Sequence, residues 1–177
     1  MLGTRTVRYT ASTPSDERLV EAFLILDIEP EDGFAHRLAA PKVWQRIAQV
    51  PVGEDHAGPQ LASLISEDPE LGALGAALLC GWASATYGDT AKAVAERLAA
   101  REELTIYRWN DEDGDVGGAR AMVRGAERTA AVRVLPHEGQ WVFYWATGPT
   151  SRLGEFGGAL HEGLISFRPT ASWATGT

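Results

Sequence analysis

Five bulky apolar side chains follow one another in the segment WVFYW, residues 141 to 145. Residues of this kind favour a β-strand, on which successive side chains point to opposite faces. Trp141, Phe143 and Trp145 would therefore share one face. Val142 and Tyr144 would share the other. A strand with one face in water alternates apolar with polar residues, so this strand must either be covered on both faces or expose rings on one of them.

The chain between residues 104 and 146 predicts an antiparallel meander of about four strands. Its segments LTIYRW, ARAMV, RTAAVRVL and QWVFYWA all read with a period of two. Turn-forming residues separate them near positions 110–118, 125–127 and 136–139. A helix over residues 151–164 follows, and ISFRPTASW then reads as a strand or an extended arm.

The first hundred residues have mainly helical spacing. After a short strand at TRTVRYT, the segment STPSDERLVEAFLILD places Thr13 as an N-cap and Pro14 at the first helical position. A second helix is predicted from Pro41 in APKVWQRIAQVP. A third, apolar helix over residues 69–86 follows a cap signature at Asp68, and TAKAVAERLAAR predicts a fourth.

Helices first and strands second is the order typical of an α+β domain. Chains of about this length commonly form one domain. With 177 residues, this chain would bury roughly 70% of its unfolded surface. We therefore expect a single α+β domain with a helical N-terminal half, about residues 1–101, packed on an antiparallel meander. Residues 102–169 would hold this sheet plus one helix, and residues 170–177 would form an arm or tail.

The charge balance limits the class of partner. The chain has a formal net charge of −8, from 24 acidic and 16 basic side chains. No basic stripe of the kind that phosphate contacts need is visible in the sequence, so we expect no direct binding to nucleic acid. An acidic protein attracts basic partners and gains association rate from them. We therefore expect a protein partner with a basic surface.

The single cysteine and the hydropathy pattern bear on location. Cys80 cannot form an intramolecular disulfide, which fits a reducing cytoplasm. Its place in the apolar run LGALGAALLCGWASA predicts a buried, unreactive thiol on the helix over residues 69–86. That run is shorter than the ~20 residues that a membrane span needs, and MLGTRTVRYTAST has no apolar segment typical of a signal peptide. We expect a cytoplasmic protein without membrane contact.

The candidate catalytic and metal-binding motifs lack the residue spacing that such sites need. NDEDGDVGGARAMV alternates acidic residues, but Val116 and Met122 stand where an EF-hand loop needs a glycine and a chelating glutamate. The 4 histidines lack the spacing of zinc ligands. No nucleophile elbow, phosphate loop or dinucleotide fingerprint occurs in its structural context. We therefore expect no metal and no cofactor, and we favour a function without catalysis.

Two segments of the second half resemble known families. The order of elements from about residue 104, ending in ALHEGLISFRPTASW with Arg168, Pro169 and Trp173, is similar to the closing part of the bacterial immunity-protein family that accompanies deaminase-type polymorphic toxins. The segment ARAMVRGAERTAAVRVL resembles actinobacterial chaperones of ESX secretion. Both resemblances imply a protein that binds other proteins and catalyses nothing.

These observations predict a non-enzymatic, acidic binding module, an immunity protein or secretion chaperone for a basic partner. Aromatic residues are common interface anchors. The candidate binding residues are therefore the rings and nearby carboxylates: Trp141, Trp145, Tyr144, Glu138, Asp111, Asp113 and Trp173.

Two alternatives stay open. One is a small enzyme with an aromatic-lined pocket that uses Glu138, His137 or the pair Asp55 and His56 as acid–base groups. The other is a structural subunit of a phage or a secretion machine.

Overall fold

Two antiparallel sheets and three helices make up the computed structural model, in which residues 7–15, 17–44, 46–49, 58–66, 77–111 and 118–170 are described. The strands are Val7–Ser12 (β1), Phe23–Pro30 (β2), His36–Pro41 (β3), Arg46–Ala48 (β4), Gln60–Ser66 (β5), Ala77–Ser84 (β6), Thr105–Asp111 (β7), Ala119–Arg124 (β8), Arg128–His137 (β9), Gln140–Pro149 (β10) and Arg168–Pro169 (β11). The helices are Glu17–Val20 (α1), Ala91–Arg101 (α2) and Leu153–Ser166 (α3), with short 3-10 turns at Ala85–Tyr87 and Thr150–Arg152.

The larger sheet has β10 at its centre. Its seven strands run in the order β4-β5-β6-β10-β9-β8-β7, and the smaller sheet has the order β1-β2-β3-β11. On β10, Tyr144 lies opposite Cys80 of β6 on one side and opposite Arg133 of β9 on the other. Strands β7 to β10 are consecutive in sequence, whereas the β6–β10 and β3–β11 pairings join distant parts of the chain.

Both faces of β10 are buried, each by a different layer. Val142 and Tyr144 belong to a core that includes residues of the smaller sheet and the end of α3. Phe143 and Trp145 belong to a second core on the opposite face, which α2 covers. The fold is therefore three-layered: α2, then the larger sheet, then α3 side by side with the smaller sheet. This arrangement explains why the WVFYW strand carries rings on both of its sides.

Two glycines make room for two of these rings. The ring of Phe143 packs over Gly81, its cross-strand partner, so closely that a Cβ at Gly81 would lie 2.6 Å from Phe143 Cζ. The ring of Tyr144 packs on Gly163 of α3, where a Cβ would lie 2.8 Å from Tyr144 Cε2. Carbon atoms in contact are normally about 3.5–4.0 Å apart. Each ring therefore needs a residue without a side chain opposite it.

The expected α+β fold with a helical N-terminal half is wrong, because the chain is predominantly β. Residues 23–30 and 36–41 are strands, and only Glu17–Val20 of the first predicted helix is helical. The predicted apolar helix over residues 69–86 is contradicted by β6, Ala77–Ser84. Strands that are covered on both faces read as continuous apolar runs, which periodicity alone cannot distinguish from a buried helix.

The second half of the chain agrees with its pattern. The meander is confirmed by the β7–β8, β8–β9 and β9–β10 pairings. Helix α2 is confirmed with Thr90 as its N-cap, whose Oγ1 accepts a hydrogen bond from Ala93 N at 3.1 Å. Helix α3 is confirmed as well. Cys80 is buried as expected, although on a strand. The predicted turn over residues 112–117 lies outside the described residues.

Substitutions at two glycines of α3 test the ring contacts. Gly163→Ala should lower the free energy of unfolding by about 1–3 kcal/mol, because the added methyl group displaces the buried ring of Tyr144. Gly158→Ala is the matched control in the same helix, since a Cβ there meets nothing within 4 Å. It should raise the free energy by up to about 1 kcal/mol through helix propensity. Urea denaturation measures both; equal effects would contradict the packing argument.

Candidate functional site

The rings predicted as binding anchors lie mostly in the core. Tyr144 is 0% and Trp145 5% exposed, so packing within the fold uses both side chains. Trp141 is half-buried, and its indole Nε1–H donates to the carbonyl of Gly88 at 3.0 Å. Trp141 is therefore the one ring of this strand that reaches the end of the sheet with part of its surface in solvent.

The predicted carboxylates are only partly described. Glu138 stands in the β9–β10 turn with φ 51°, and its side chain is 84% exposed. Asp111 ends β7, and its side chain is outside the described set. Asp113 and Trp173 lie outside the described residues altogether. The structure thus brings Glu138 and Trp141 together at one end of the sheet, and the roles of Asp111, Asp113 and Trp173 stay predictions.

Further acidic residues gather at that end of the larger sheet, which we call the acidic end: Glu31, Asp32, Asp89 and Glu138. All four side chains are exposed. The hydrogen bond from Trp141 to Gly88 places the loop of Asp89 beside the β9–β10 turn. The loop between β2 and β3 lies beside the same turn, because the rings of Phe34 and His137 are 6.3 Å apart. These four acidic side chains come from three separate loops, of which the Asp89 loop and the β9–β10 turn lie beside the half-buried Trp141.

Sequence reasoning missed a basic surface, which we call the arginine face: Arg108, Arg120, Arg124 and Arg133. Cross-strand pairing puts them on one side of β7, β8 and β9, since Arg120 lies opposite Arg133, and Arg108 lies opposite Met122. Arg133 donates to the carbonyls of Phe167 and Ile165 at the C-terminal end of α3, where a cation is favourable. The residues are scattered in sequence, so only the strand pairing could have revealed the surface.

A second missed feature is a buried polar cluster between the two sheets. The ring of His36 contacts Ser63 Oγ through Nε2 at 2.8 Å. His36, Ser63 and Cys80 are all fully buried. Burial lowers the pKa of His36 to about 4 and raises the pKa of the Cys80 thiol to about 12, the latter opposed by a hydrogen bond to Ser63. The serine–histidine contact faces no solvent, and the thiol is protonated at neutral pH.

The described residues hold no group of three or more His, Cys, Asp or Glu side chains placed to bind a metal ion. In the same part of the chain, no helix is long and apolar enough to cross a membrane. The acidic β7–β8 turn lacks the glycine and the glutamate of a calcium-binding loop, and its residues 112–117 lie outside the described part of the chain.

The geometry defines a class: a seven-stranded antiparallel sheet with helix α2 on one face and helix α3 plus a small sheet on the other. The fold is similar to the solution structure of cyanobacterial PsbP (CyanoP) from Synechocystis, with a TM-score of 0.56 and 16% sequence identity over 95% of each chain. At that identity the likeness concerns the fold alone. No protein-family model matches the chain, and no curated protein does either.

Two tryptophan substitutions separate core packing from the sheet end. Trp145→Ala should lower the free energy of unfolding by about 3–5 kcal/mol, because it empties a buried ring site between β10 and α2. Trp141→Phe keeps a ring and loses only the hydrogen bond to Gly88, so we expect a cost of about 1 kcal/mol. Chemical denaturation followed by far-UV circular dichroism measures both. A small effect of Trp145→Ala would mean that this ring is not core.

Proposed function

We propose that this chain is a non-enzymatic, acidic protein-binding module for a partner with a basic surface, of the immunity-protein or secretion-chaperone kind. The acidic end carries the proposal: Glu31, Asp32, Asp89 and Glu138 are all exposed. Asp89 and Glu138 lie beside the half-buried Trp141. Cationic side chains of a partner would meet these carboxylates. The half-buried Trp141 would supply apolar contact beside Asp89 and Glu138.

The electrostatics support this orientation of the surface. The net charge of −8 attracts a basic partner from a distance, and exposed rim charges chiefly raise the association rate. The four acidic residues lie in three loops that the sheets position. Binding residues are often found on loops of this kind. The buried rings Tyr144 and Trp145 have no part in this contact.

The burial of those rings also favours binding over the enzyme alternative. Tyr144 and Trp145, two of the rings that an aromatic-lined pocket could use, are both packed against other elements. The acid–base candidates His137 and Glu138 lie 3.9 Å apart with Glu138 in solvent, where no wall excludes water from a reaction. A cytoplasmic location, without direct nucleic-acid or membrane contact, belongs to the same proposal.

The experiment begins with recovery and identification of a partner from the native host, followed by binding measurements on purified proteins. The triple variant Glu31→Gln, Asp89→Asn and Glu138→Gln should weaken binding about tenfold or more at low salt, mainly through a slower association rate. The matched control removes the same charge from the helix α2 side and the opposite end of the sheet: Glu96→Gln, Glu102→Gln and Glu127→Gln.

The control triple should bind nearly as well as the unmodified protein. Equal weakening by both triples would mean that only net charge matters and would contradict a defined acidic site. Recovery of an acidic protein as the specific partner would overturn the proposal.

A further inference from the structure

His36 connects the two sheets through one hydrogen bond. It lies on β3 of the smaller sheet, on the inner face that it shares with Ile28. Its Nε2 atom is 2.8 Å from Oγ of Ser63, which lies on β5 of the larger sheet. Its Nδ1 atom is 2.8 Å from the carbonyl oxygen of Phe34. Both ring nitrogens are therefore engaged, one within its own layer and one across the boundary between layers.

The partners determine the direction of each hydrogen bond. A carbonyl oxygen can only accept, so Nδ1 of His36 carries the proton and donates to Phe34. Nε2 of the neutral ring is then an acceptor, and the Ser63 hydroxyl donates to it. On protonation Nε2 becomes a donor to the Ser63 oxygen, so this bond reverses its direction and the ring carries a positive charge inside the core.

The surroundings of His36 do not accommodate a positive charge. Its ring lies 4.8 Å from the ring of Phe34 and 6.2 Å from that of Phe167, measured between centroids. The titratable groups on the packed elements are Cys80 of β6, Tyr144 of β10 and, beyond Phe34, His137 of β9. The pKa values of Cys80 and Tyr144 are raised by burial, so both groups are neutral. None of the described contacts of the ring involves a carboxylate.

The sign of the pH effect follows from linkage. His36 has a pKa of about 4 in the folded chain against the ordinary value of 6.5, so the unfolded or opened state binds the proton more tightly. The stabilising contribution is complete above pH 6.5 and is lost as the pH falls toward 4. Acid therefore favours any state in which His36 reaches water.

We propose that the buried ring of His36 is an acid-sensitive latch between the two sheets: its protonation places a charge among apolar side chains and releases the four-stranded sheet from the seven-stranded sheet. Opening at this boundary exposes the inner faces of β5 and β6, including Cys80. The device is independent of any binding at the acidic end, since all its parts lie in the core between the two sheets.

The chain carries its own reporter of this opening, because Cys80 is its single cysteine and lies behind the latch. The rate at which 4,4′-dithiodipyridine labels Cys80 is measured on the full chain from pH 7 to pH 4. Each rate is divided by that of the chain in denaturant at the same pH, which removes the reagent's own pH dependence. The ratio should rise about 100-fold over this range.

His36→Gln should flatten this rise, because glutamine does not titrate. His137→Gln is the matched control: that ring lies at the solvent-exposed edge near Phe34, and the variant should keep the full pH dependence. If His36→Gln does not fold, Ser63→Ala serves instead. It removes the cross-sheet partner and should speed labelling at pH 7 while the buried His36 still responds to acid.

Two results would overturn the latch. One is an undiminished pH dependence in His36→Gln, which would assign the acid response to other groups. The other is a dependence of the labelling rate on urea as steep as that of global unfolding measured by circular dichroism. That result would show that Cys80 becomes accessible only when the whole fold is lost, with no separate release of the smaller sheet.

Discussion

Burial of β10 on both faces is the constraint on which the rest of the structure depends. Phe143 on one face requires Gly81, and Tyr144 on the other requires Gly163. The first contact sets the register between β6 and β10, since a shift of one residue would move every ring to the wrong face. The second positions α3 and, through the bonds of Arg133 to its C-terminal carbonyls, the start of β11. One ring-on-glycine contact thus joins the central strand to its neighbour β6, and the other joins it to the layer of α3.

Local sequence predicted the elements that have a clear cap or turn-forming residues at both ends. Helix α2, capped by Thr90, and strands β7 to β10 follow from neighbouring residues alone. The failures lie in β2 and β6. ALLCGWAS in β6 shows no alternation because layers on both sides bury it, and its apolar run reads as helix. FLILDIEP in β2 follows a helix-cap signature at Thr13 and Pro14, so it reads as the continuation of a helix.

Some residues of the candidate site could be predicted from the local sequence, and others could not. Glu138 could be found from the turn composition of PHEG, and it is exposed. The burial of Tyr144 and Trp145 could not, because it depends on which layers cover β10. The acidic end, the arginine face and the contact of His36 with Ser63 all arise from pairings between distant residues. The net charge of −8 hides a separation in which carboxylates gather in loops and arginines gather on a sheet face.

The smaller sheet is assembled from both ends of the described chain, and this affects how the protein is made. Pro169 of β11 pairs with His36 of β3, and the N–H of Ala39 donates to Ser166 Oγ at 2.8 Å. The ribosome releases His36 long before Pro169, so a nascent chain carries β3 with one edge unpaired until Pro169 has emerged. An unpaired edge is a template for wrong pairing, and closure between distant segments is slow. Completion of this sheet therefore has to await release of the chain through Pro169, when β11 can cover the exposed edge.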